Sequence, residues 1–343
     1  MTYSKRIEAF KKLGYYMQEA HDLPSLISTA AQGNPWFTTQ NVQLSIRSWA
    51  DKLTIEKLDE WLAPYSGKIA ETSDKVVGLV LAGNIPMVGW HDVLATLLIG
   101  LKVQIKLSSD DKLLIPHFLS KLIEIEPAFS NRIDLVERLQ GIDIIIATGS
   151  NNTSRYFDYY FGKYPHIIRK NRNGIAVLTG KETTDEIVRL GHDIFDYFGL
   201  GCRNVSKIYV PKEYDFKQFF EPLEHFSDIS LHHKYHNNYD YNKSIYLVNG
   251  DVHYDNGFLL LKEDTRIASP LAVVYYESYD NINDVAAVLQ NRSTEIQCIV
   301  AENNSIEPLS NLPVFTFGQT QYPALDDYAD GVNTVQFLIE NIN

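Results

Sequence analysis

The stretch Lys75-Val-Val-Gly-Leu-Val-Leu-Ala82, closed by Gly83-Asn84-Ile85-Pro86, decides how the rest of the chain is read. A strand with one wet face alternates apolar and polar residues, whereas this run is apolar throughout, as a strand buried on both faces in a parallel sheet must be. Gly83-Asn84 ends it in a turn, and turns at the carboxyl edge of parallel strands are where α/β proteins hold ligands. Beyond it the pattern predicts a helix over 91–100, a strand over 103–107, a helix over 112–125 and a strand over 142–147 that stops at Thr148-Gly149-Ser150. The rhythm is β-α-β-α-β.

Upstream, the periodicity predicts helices over 6–19, 23–31 and 42–62, with Asn34-Pro35 as a break, so the sheet is preceded by a helical lead-in. Downstream it predicts a helix over 152–161, a strand over 175–178, and a helix over 185–198 that stops at Gly199-Leu-Gly-Cys202. A strand over 206–210 follows, then a Tyr- and His-rich polar stretch over 225–243. Strands near 244–248, 272–276 and 297–301 and a helix near 282–289 complete a second α/β pattern.

At 343 residues the chain is long enough for two domains, and 45% hydrophobic with 22% charged residues describes an ordinary folded protein. A net charge of −12 opposes a phosphate-backbone footprint, so nucleic acid is not an expected partner. Cys202 and Cys298 are the only cysteines, which suits a reducing compartment and makes the cytoplasm the expected location. The N-terminus lacks an apolar signal core, and the apolar run over 94–101 is far short of the roughly 20 residues of a membrane span.

No Gly-x-Gly-x-x-Gly occurs, so the usual dinucleotide fingerprint is absent. Gly174-Ile-Ala-Val-Leu-Thr-Gly180-Lys181-Glu182 imitates a P-loop, but it has one residue too many between its glycines and ends in Glu where a magnesium-binding hydroxyl belongs. Asp326, Asp327 and Asp330 lack the spacing of a calcium loop, and His232, His233 and His236 lack the Glu of a zinc motif; both groups read as polar surface, and no metal is expected. Cys202 follows two glycines in a turn that could hold a thiol exposed, with Arg203 beside it, so a nucleophile and a buried small residue are both open readings. Cys298, inside Ile296-Gln-Cys-Ile-Val300, reads as core. Asn84 could donate its amide to an oxyanion or simply shape its turn.

The ordered set Gly83-Asn84-Ile-Pro86, Lys106-Leu-Ser108-Ser109, Ala147-Thr148-Gly149-Ser150, Gly199-Leu-Gly-Cys202 and Ser269-Pro270 resembles the aldehyde dehydrogenase superfamily. Within it the chain looks most like the LuxC-type acyl-CoA reductases, a likeness that runs from about residue 75 onward and that Phe317-Gly-Gln319 and the helical start also fit. The resemblance implies an α/β fold of two domains with parallel sheets: a lead-in plus Rossmann-like cofactor domain over 1–180, a catalytic domain over 181–312, and a segment over 313–343 returning to the first. It implies Cys202 as the nucleophile, with Asn84 and the Cys202 N–H as oxyanion donors. Lys106, Ser108 and Ser109 would meet the adenosine ribose, and Thr148, Gly149 and Ser150 the cofactor phosphates. Ser109 lies where NAD-preferring members commonly have Glu, and losing that carboxylate favours NADPH. Arg169 falls near the general-base position and Arg266 where many members have a ribose-binding Glu.

The implied reaction is NADPH-dependent reduction of a long-chain fatty acyl thioester, acyl-CoA or acyl-protein, to aldehyde through an acyl-cysteine, with an acyl-transfer enzyme as implied partner. A missing water-activating carboxylate suits that outcome, because a base that activates water would release the fatty acid. An acyl-phosphate reductase, a cysteine acyltransferase or thioesterase without redox chemistry, and a non-catalytic nucleotide-binding scaffold are the competing readings; a homo-oligomer stays open.

Overall fold

A computed structural model describes residues 1–69, 71–149, 151–302, 305 and 312–342, without the side chains of 151–154 and 158. The chain divides into two compact units, Met1–Asn171 with Ala324–Asn343, and Arg172–Pro323.

The first unit opens with α1 (Tyr3–Glu19), α2 (Leu23–Gly33), α3 (Thr39–Ala50) and α4 (Ile55–Leu62). Ile7, Phe10, Leu13 and Met17 form the buried stripe of α1, each worth about 1.5–3 kcal/mol on burial. Gly14 lets α1 approach closely, since a Cβ there would sit 2.8 Å from the Leu53 Cβ and carbonyl oxygen. The single helix expected over 42–62 is two helices. Thr54 accepts from the Lys57 N–H at 3.3 Å, so it starts a new helix instead of continuing the old one.

The sheet follows as β1 (Val76–Val80), α5 (Trp90–Leu98), β2 (Lys102–Lys106), α6 (Leu114–Ile125), β3 (Ile133–Leu135), β4 (Ile144–Thr148), α7 (Asn151–Phe161) and β5 (His166–Arg169). Its order is β3-β2-β1-β4-β5 and every pairing is parallel. β3 and β5 carry no strong sequence signal because they are three- and four-residue edge strands. α5 is buried almost all round.

The second unit runs β6 (Asn173–Val177), α8 (Thr184–Phe195), β7 (Val205–Pro211), α9 (Lys217–Leu223), α10 (His233–Asn249), β8 (Tyr254–Asp255), β9 (Leu260–Glu263), β10 (Val273–Tyr279), α11 (Ile282–Asn291), β11 (Ile296–Ala301) and β12 (Val314–Phe315). The sheet order is β12-β11-β6-β7-β10-β9-β8, parallel except for β8 against β9. The strand expected near 244–248 is the last part of α10. Tyr235, Tyr239, Asn242 and Tyr246 are buried at helical spacing, Gly250 closes the helix at φ 71°, and Leu247 and Val248 point outward.

β6 pairs with β7 and β11, which places the passage between the units at Asn171 and Arg172. The chain re-enters the first unit at Ala324, and its last helix, Thr334–Glu340, is fastened there by a buried ion pair. Arg169, at the end of β5, grips Asp92 of α5 with both terminal nitrogens and donates to the Thr334 hydroxyl at 3.0 Å. His91, next to Asp92, holds the Leu325 carbonyl at 2.8 Å among the rings of Trp49, Trp61 and Tyr328, and Trp61 donates to the Tyr328 hydroxyl at 2.8 Å.

Removing one partner of such a buried pair leaves a desolvated charge, so Asp92→Ala should lose about 3–5 kcal/mol. Thr334→Val should lose about 1–2 kcal/mol. Thermal or urea unfolding of the full chain checks both, and an unchanged Asp92→Ala midpoint refutes the clamp. Burial lowers the His91 pKa, so the native state holds this ring neutral. Its contribution is therefore complete above the unfolded value of ~6.5 and is lost as the pH falls toward the lowered folded value. The wild type should lose more stability than His91→Gln between about pH 7.5 and 5.5; parallel losses in urea midpoints would count against it.

Candidate active site

Three strand ends of the first unit meet at one edge. β1 lies between β2 and β4, with Val80 level with Lys106 on one side and Ala147 on the other. The chain order leaves β1 toward β2 and β3, then crosses back to β4, so this edge is a topological switch point. Asn84, Lys106 and Ser109 are exposed there, and Thr148 and Gly149 are half-buried. Ser150, the third residue expected in the phosphate turn, lies outside the described residues.

The Asn84 turn is held from behind. The buried Asp111 carboxylate accepts from the Met87 N–H at 2.9 Å and the Leu114 N–H at 3.2 Å, and burial raises its pKa. Met87 takes φ 58°, a left-handed conformation that this carboxylate stabilises. Ser45 donates to the Pro86 carbonyl at 2.8 Å. Gly83 packs against Ser108, whose Oγ would lie 2.5 Å from a Cβ, and that hydroxyl also accepts from the Asp110 N–H at 3.2 Å. Ser108 thus shapes the Asn84 turn. Gly149 donates to the Arg169 carbonyl at 3.3 Å, which ties the turn after β4 to β5.

In the second unit Cys202 stands, half-buried, just before β7. The residues leading to it are unusual: Tyr197, Phe198 and Gly199 have φ values of 54°, 59° and 76°. Two consecutive non-glycine residues in this region oppose the ordinary steric preference, so outside contacts must hold them. Phe198 stacks on His232 at 4.2 Å between centroids. Asn204 supplies the rest. Its Oδ1 accepts from the Gly201 N–H at 2.8 Å, and its Nδ2 donates to the carbonyls of Asp193 at 3.1 Å and Asp196 at 2.8 Å. One side chain therefore closes the cysteine turn and satisfies carbonyls at the end of α8.

The turn lies on backbone. The Gly174 N–H donates to the Asn204 carbonyl at 2.9 Å, and a Cβ on Gly174 would sit 2.7 Å from the Arg203 carbonyl oxygen. Cys298 is fully buried and its thiol lies 3.7 Å from the same Arg203 oxygen, so it is core, as its sequence suggests. Arg203 is buried with its guanidinium carbon 5.7 Å from the Phe315 ring centre. Ser269 and Pro270 line a small cavity of about 40 Å³ together with Phe198, Gly199 and Tyr235. The residues before them are pinned to β7: Ser206 donates to the Ile267 carbonyl at 2.8 Å and the buried Lys207 to that of Asp264 at 2.8 Å, with Glu277 as its counter-ion.

Other candidates fall elsewhere. Arg169 is spent in its ion pair with Asp92. Arg266 folds back on Asp264, binding both carboxylate oxygens at 2.9 and 2.5 Å, and holds that carboxyl at about 2. The P-loop imitation is filled from within: the Glu182 carboxylate accepts from Thr179 and Gly180 N–H groups at 2.5 and 3.0 Å, which occupies the amides a phosphate would use. Among the described residues no group of three His, Cys, Asp or Glu side chains is placed to hold a metal, and no helix is long and apolar enough to cross a membrane. Sequence reasoning missed Asp111, Asp193 and Asn204, which look in sequence like ordinary turn and helix polars.

Several solved structures share this fold. Aldehyde dehydrogenase 21 of Physcomitrella patens, solved with its product succinate, aligns with a TM-score of 0.70 at 13% identity, covering 100% of this chain and 85% of that one. Aldehyde dehydrogenase C of Pseudomonas syringae, solved with NAD+ and octanal, gives 0.64 at 14%, covering 89% and 73%. An aldehyde dehydrogenase of Bacillus cereus in complex with NAD+ gives 0.62 at 13%, covering 89% and 72%. The architecture is that of the aldehyde dehydrogenases, with two α/β units, parallel sheets and a helical start. Among curated proteins none matches the chain in sequence. The family model for LuxC, acyl-CoA reductase, matches residues 2–225, a span that holds Asn84, Lys106, the turn after β4 and Cys202. With well over half its length so matched, the chain belongs to the LuxC acyl-CoA reductase family.

Proposed function

We propose that this protein reduces a long-chain fatty acyl thioester, with acyl-CoA as donor, to the aldehyde at the expense of NADPH, with Cys202 as the covalent nucleophile. The observation that carries the proposal is the cysteine turn. A half-buried thiol stands in a turn whose backbone is fastened by Asn204 and supported by Gly174, which is how a nucleophile is held in one orientation.

The nucleotide reading rests on the switch-point edge of the first unit. Its donor set fits a dinucleotide: a cationic Lys106 at the end of β2, the Ser109 hydroxyl beyond it, and, across β1, Thr148 at the end of β4 followed by the start of α7, where helix N–H groups favour phosphate. Ser108 contributes by shaping the neighbouring turn, and Gly149 by its place in the turn after β4, where its N–H is held by the Arg169 carbonyl. Ser109 in place of an acidic residue supports NADPH, because no carboxylate at that position repels a 2′-phosphate. Held by Lys106, Ser109, Thr148 and the start of α7, NADPH would supply the hydride for the reduction.

The Cys202 thiolate attacks the thioester carbonyl. As the tetrahedral adduct collapses, the carbon–sulfur bond to coenzyme A breaks and the CoA thiolate leaves to take up a proton, while the acyl group stays on Cys202. After reduction the cysteine-linked hemithioacetal breaks its carbon–sulfur bond, releasing aldehyde and restoring the Cys202 thiolate. The Cys202 N–H and the Asn84 side-chain amide are the proposed donors to the oxyanions. Overall, acyl-CoA, NADPH and a proton give aldehyde, CoA and NADP+. The upstream reaction would be one that makes acyl thioesters, an acyl transfer.

Cys202→Ala should abolish aldehyde formation from acyl-CoA while NADPH affinity stays within about twofold, since the thiol is needed for the covalent step only. Trapped aldehyde and nucleotide titration read this, with NADH run alongside; residual turnover in the variant, or CoA release without nucleotide consumption in the wild type, would overturn the reductase reading. Asn84→Ala should lower kcat by roughly 10²–10³ with little change in NADPH binding, the usual loss for one oxyanion donor. A wild-type kcat in that variant would remove Asn84 from the chemistry.

A further inference from the structure

The second unit contains a buried carboxylate that the reaction does not use. Asp193, in the last turns of α8, is fully buried, and burial pushes its carboxyl up to about 6. A lone carboxylate at such depth is unfavourable unless it is fully hydrogen-bonded, and this one is. Its Oδ2 accepts from the Gly318 N–H at 2.6 Å, and its Oδ1 accepts from the Thr320 N–H at 3.0 Å and the Thr320 hydroxyl at 2.8 Å. Thr320 is itself fully buried, and its hydroxyl accepts from the Gln321 amide at 3.1 Å. The main-chain carbonyl of the same Asp193 accepts from Asn204, the residue that closes the cysteine turn.

One residue thus holds two segments that are distant in sequence, the Cys202 turn through its carbonyl and residues 318–320 through its carboxylate. The second segment has little freedom. Gly318 sits at φ 83°, and a Cβ there would lie 3.1 Å from the Arg189 side chain on α8. Because Tyr197, Phe198 and Gly199 are all left-handed, the short turn over Asp196–Gly199 that links α8 to Cys202 departs from helical geometry and depends on outside contacts. We propose that Asp193 is a positioning residue: by fastening residues 318–320 to the end of α8, it fixes the point from which Asn204 holds the Cys202 turn, and so sets the orientation of the thiol. The inference rests on Cys202 being the nucleophile.

Asparagine cannot replace this carboxylate, since its NH2 would face an N–H donor where Asp193 presents an acceptor. The full-length Asp193→Asn, Thr320→Val and Thr320→Ser proteins are compared with wild type for kcat and KM with acyl-CoA, for NADPH affinity, and for the rate at which iodoacetamide alkylates Cys202, located by peptide mass. Asp193→Asn and Thr320→Val should lower kcat and the alkylation rate about 10- to 100-fold, the scale of a small misplacement of a reacting group. NADPH affinity and the acyl-CoA KM should hold, and Thr320→Ser, which keeps the hydroxyl, should stay within about twofold of wild type. A folded Asp193→Asn protein that alkylates and turns over like wild type overturns the proposal. If that variant does not fold, Thr320→Val decides, and a wild-type rate there overturns it equally. Should Cys202→Ala keep its reductase activity, the nucleophile reading fails, while the alkylation rates still report whether Asp193 orients the turn.

Discussion

The second unit is organised around the absence of one Cβ. Gly174 lets the backbone of Arg203 and Asn204 lie directly against β6, and the contact is so close that any side chain there would overlap two carbonyl oxygens. From that contact the remaining supports follow: Gly174 donates to Asn204, Asn204 closes the turn at Gly201, and the Cys298 thiol approaches the Arg203 oxygen from β11. A thiol on an unsupported turn would sample many orientations, each costing entropy to restrict. Here the ordering is built into the sheet.

The candidate groups of the two units stand at different ends of their parallel strands. In the first, Asn84, Lys106 and Thr148 stand where β1, β2 and β4 end, at the edge that precedes helix N-termini and suits an anionic ligand. In the second, Cys202 stands where β7 begins, after a helix whose last carbonyls are taken up by Asn204. The first edge has no glycine-rich fingerprint, and Gly149 after β4 is tied to the Arg169 carbonyl.

Arginines at two positions that are often acidic in the superfamily illustrate how local sequence misleads. Arg169 invites comparison with a catalytic base, yet it is committed to Asp92 and Thr334 and serves to fasten the final helix. Arg266 is neutralised by Asp264 two residues away. In both cases the partner decides the role. One of those partners, Thr334, is 165 residues from its arginine, beyond any spacing argument.

Much of the fold was legible in the residues themselves. A continuous apolar run bounded by Gly83-Asn84 reads as a strand covered on both faces, and its alternation with helical periods implies a parallel sheet. The order of the short motifs singles out Asn84, Lys106, Thr148 and Cys202 as candidates through the family resemblance. Local pattern failed where long-range contact chose the conformation. The β-branched end of α10 looked like a strand, but the buried tyrosine stripe and the αL cap at Gly250 make it helix. The helix over 42–62 was interrupted by a cap at Thr54, and β3 and β5 were too short to show a period. Sequence by itself determined where a thiol, an amide and a lysine stand relative to the strands, because residue type and periodicity fix both, while their roles came from the resemblance alone. Only the tertiary structure decided how those groups are held, because Asp111, Asp193, Asn204 and Gly174 act through hydrogen bonds and close approaches between segments that the chain brings together only on folding.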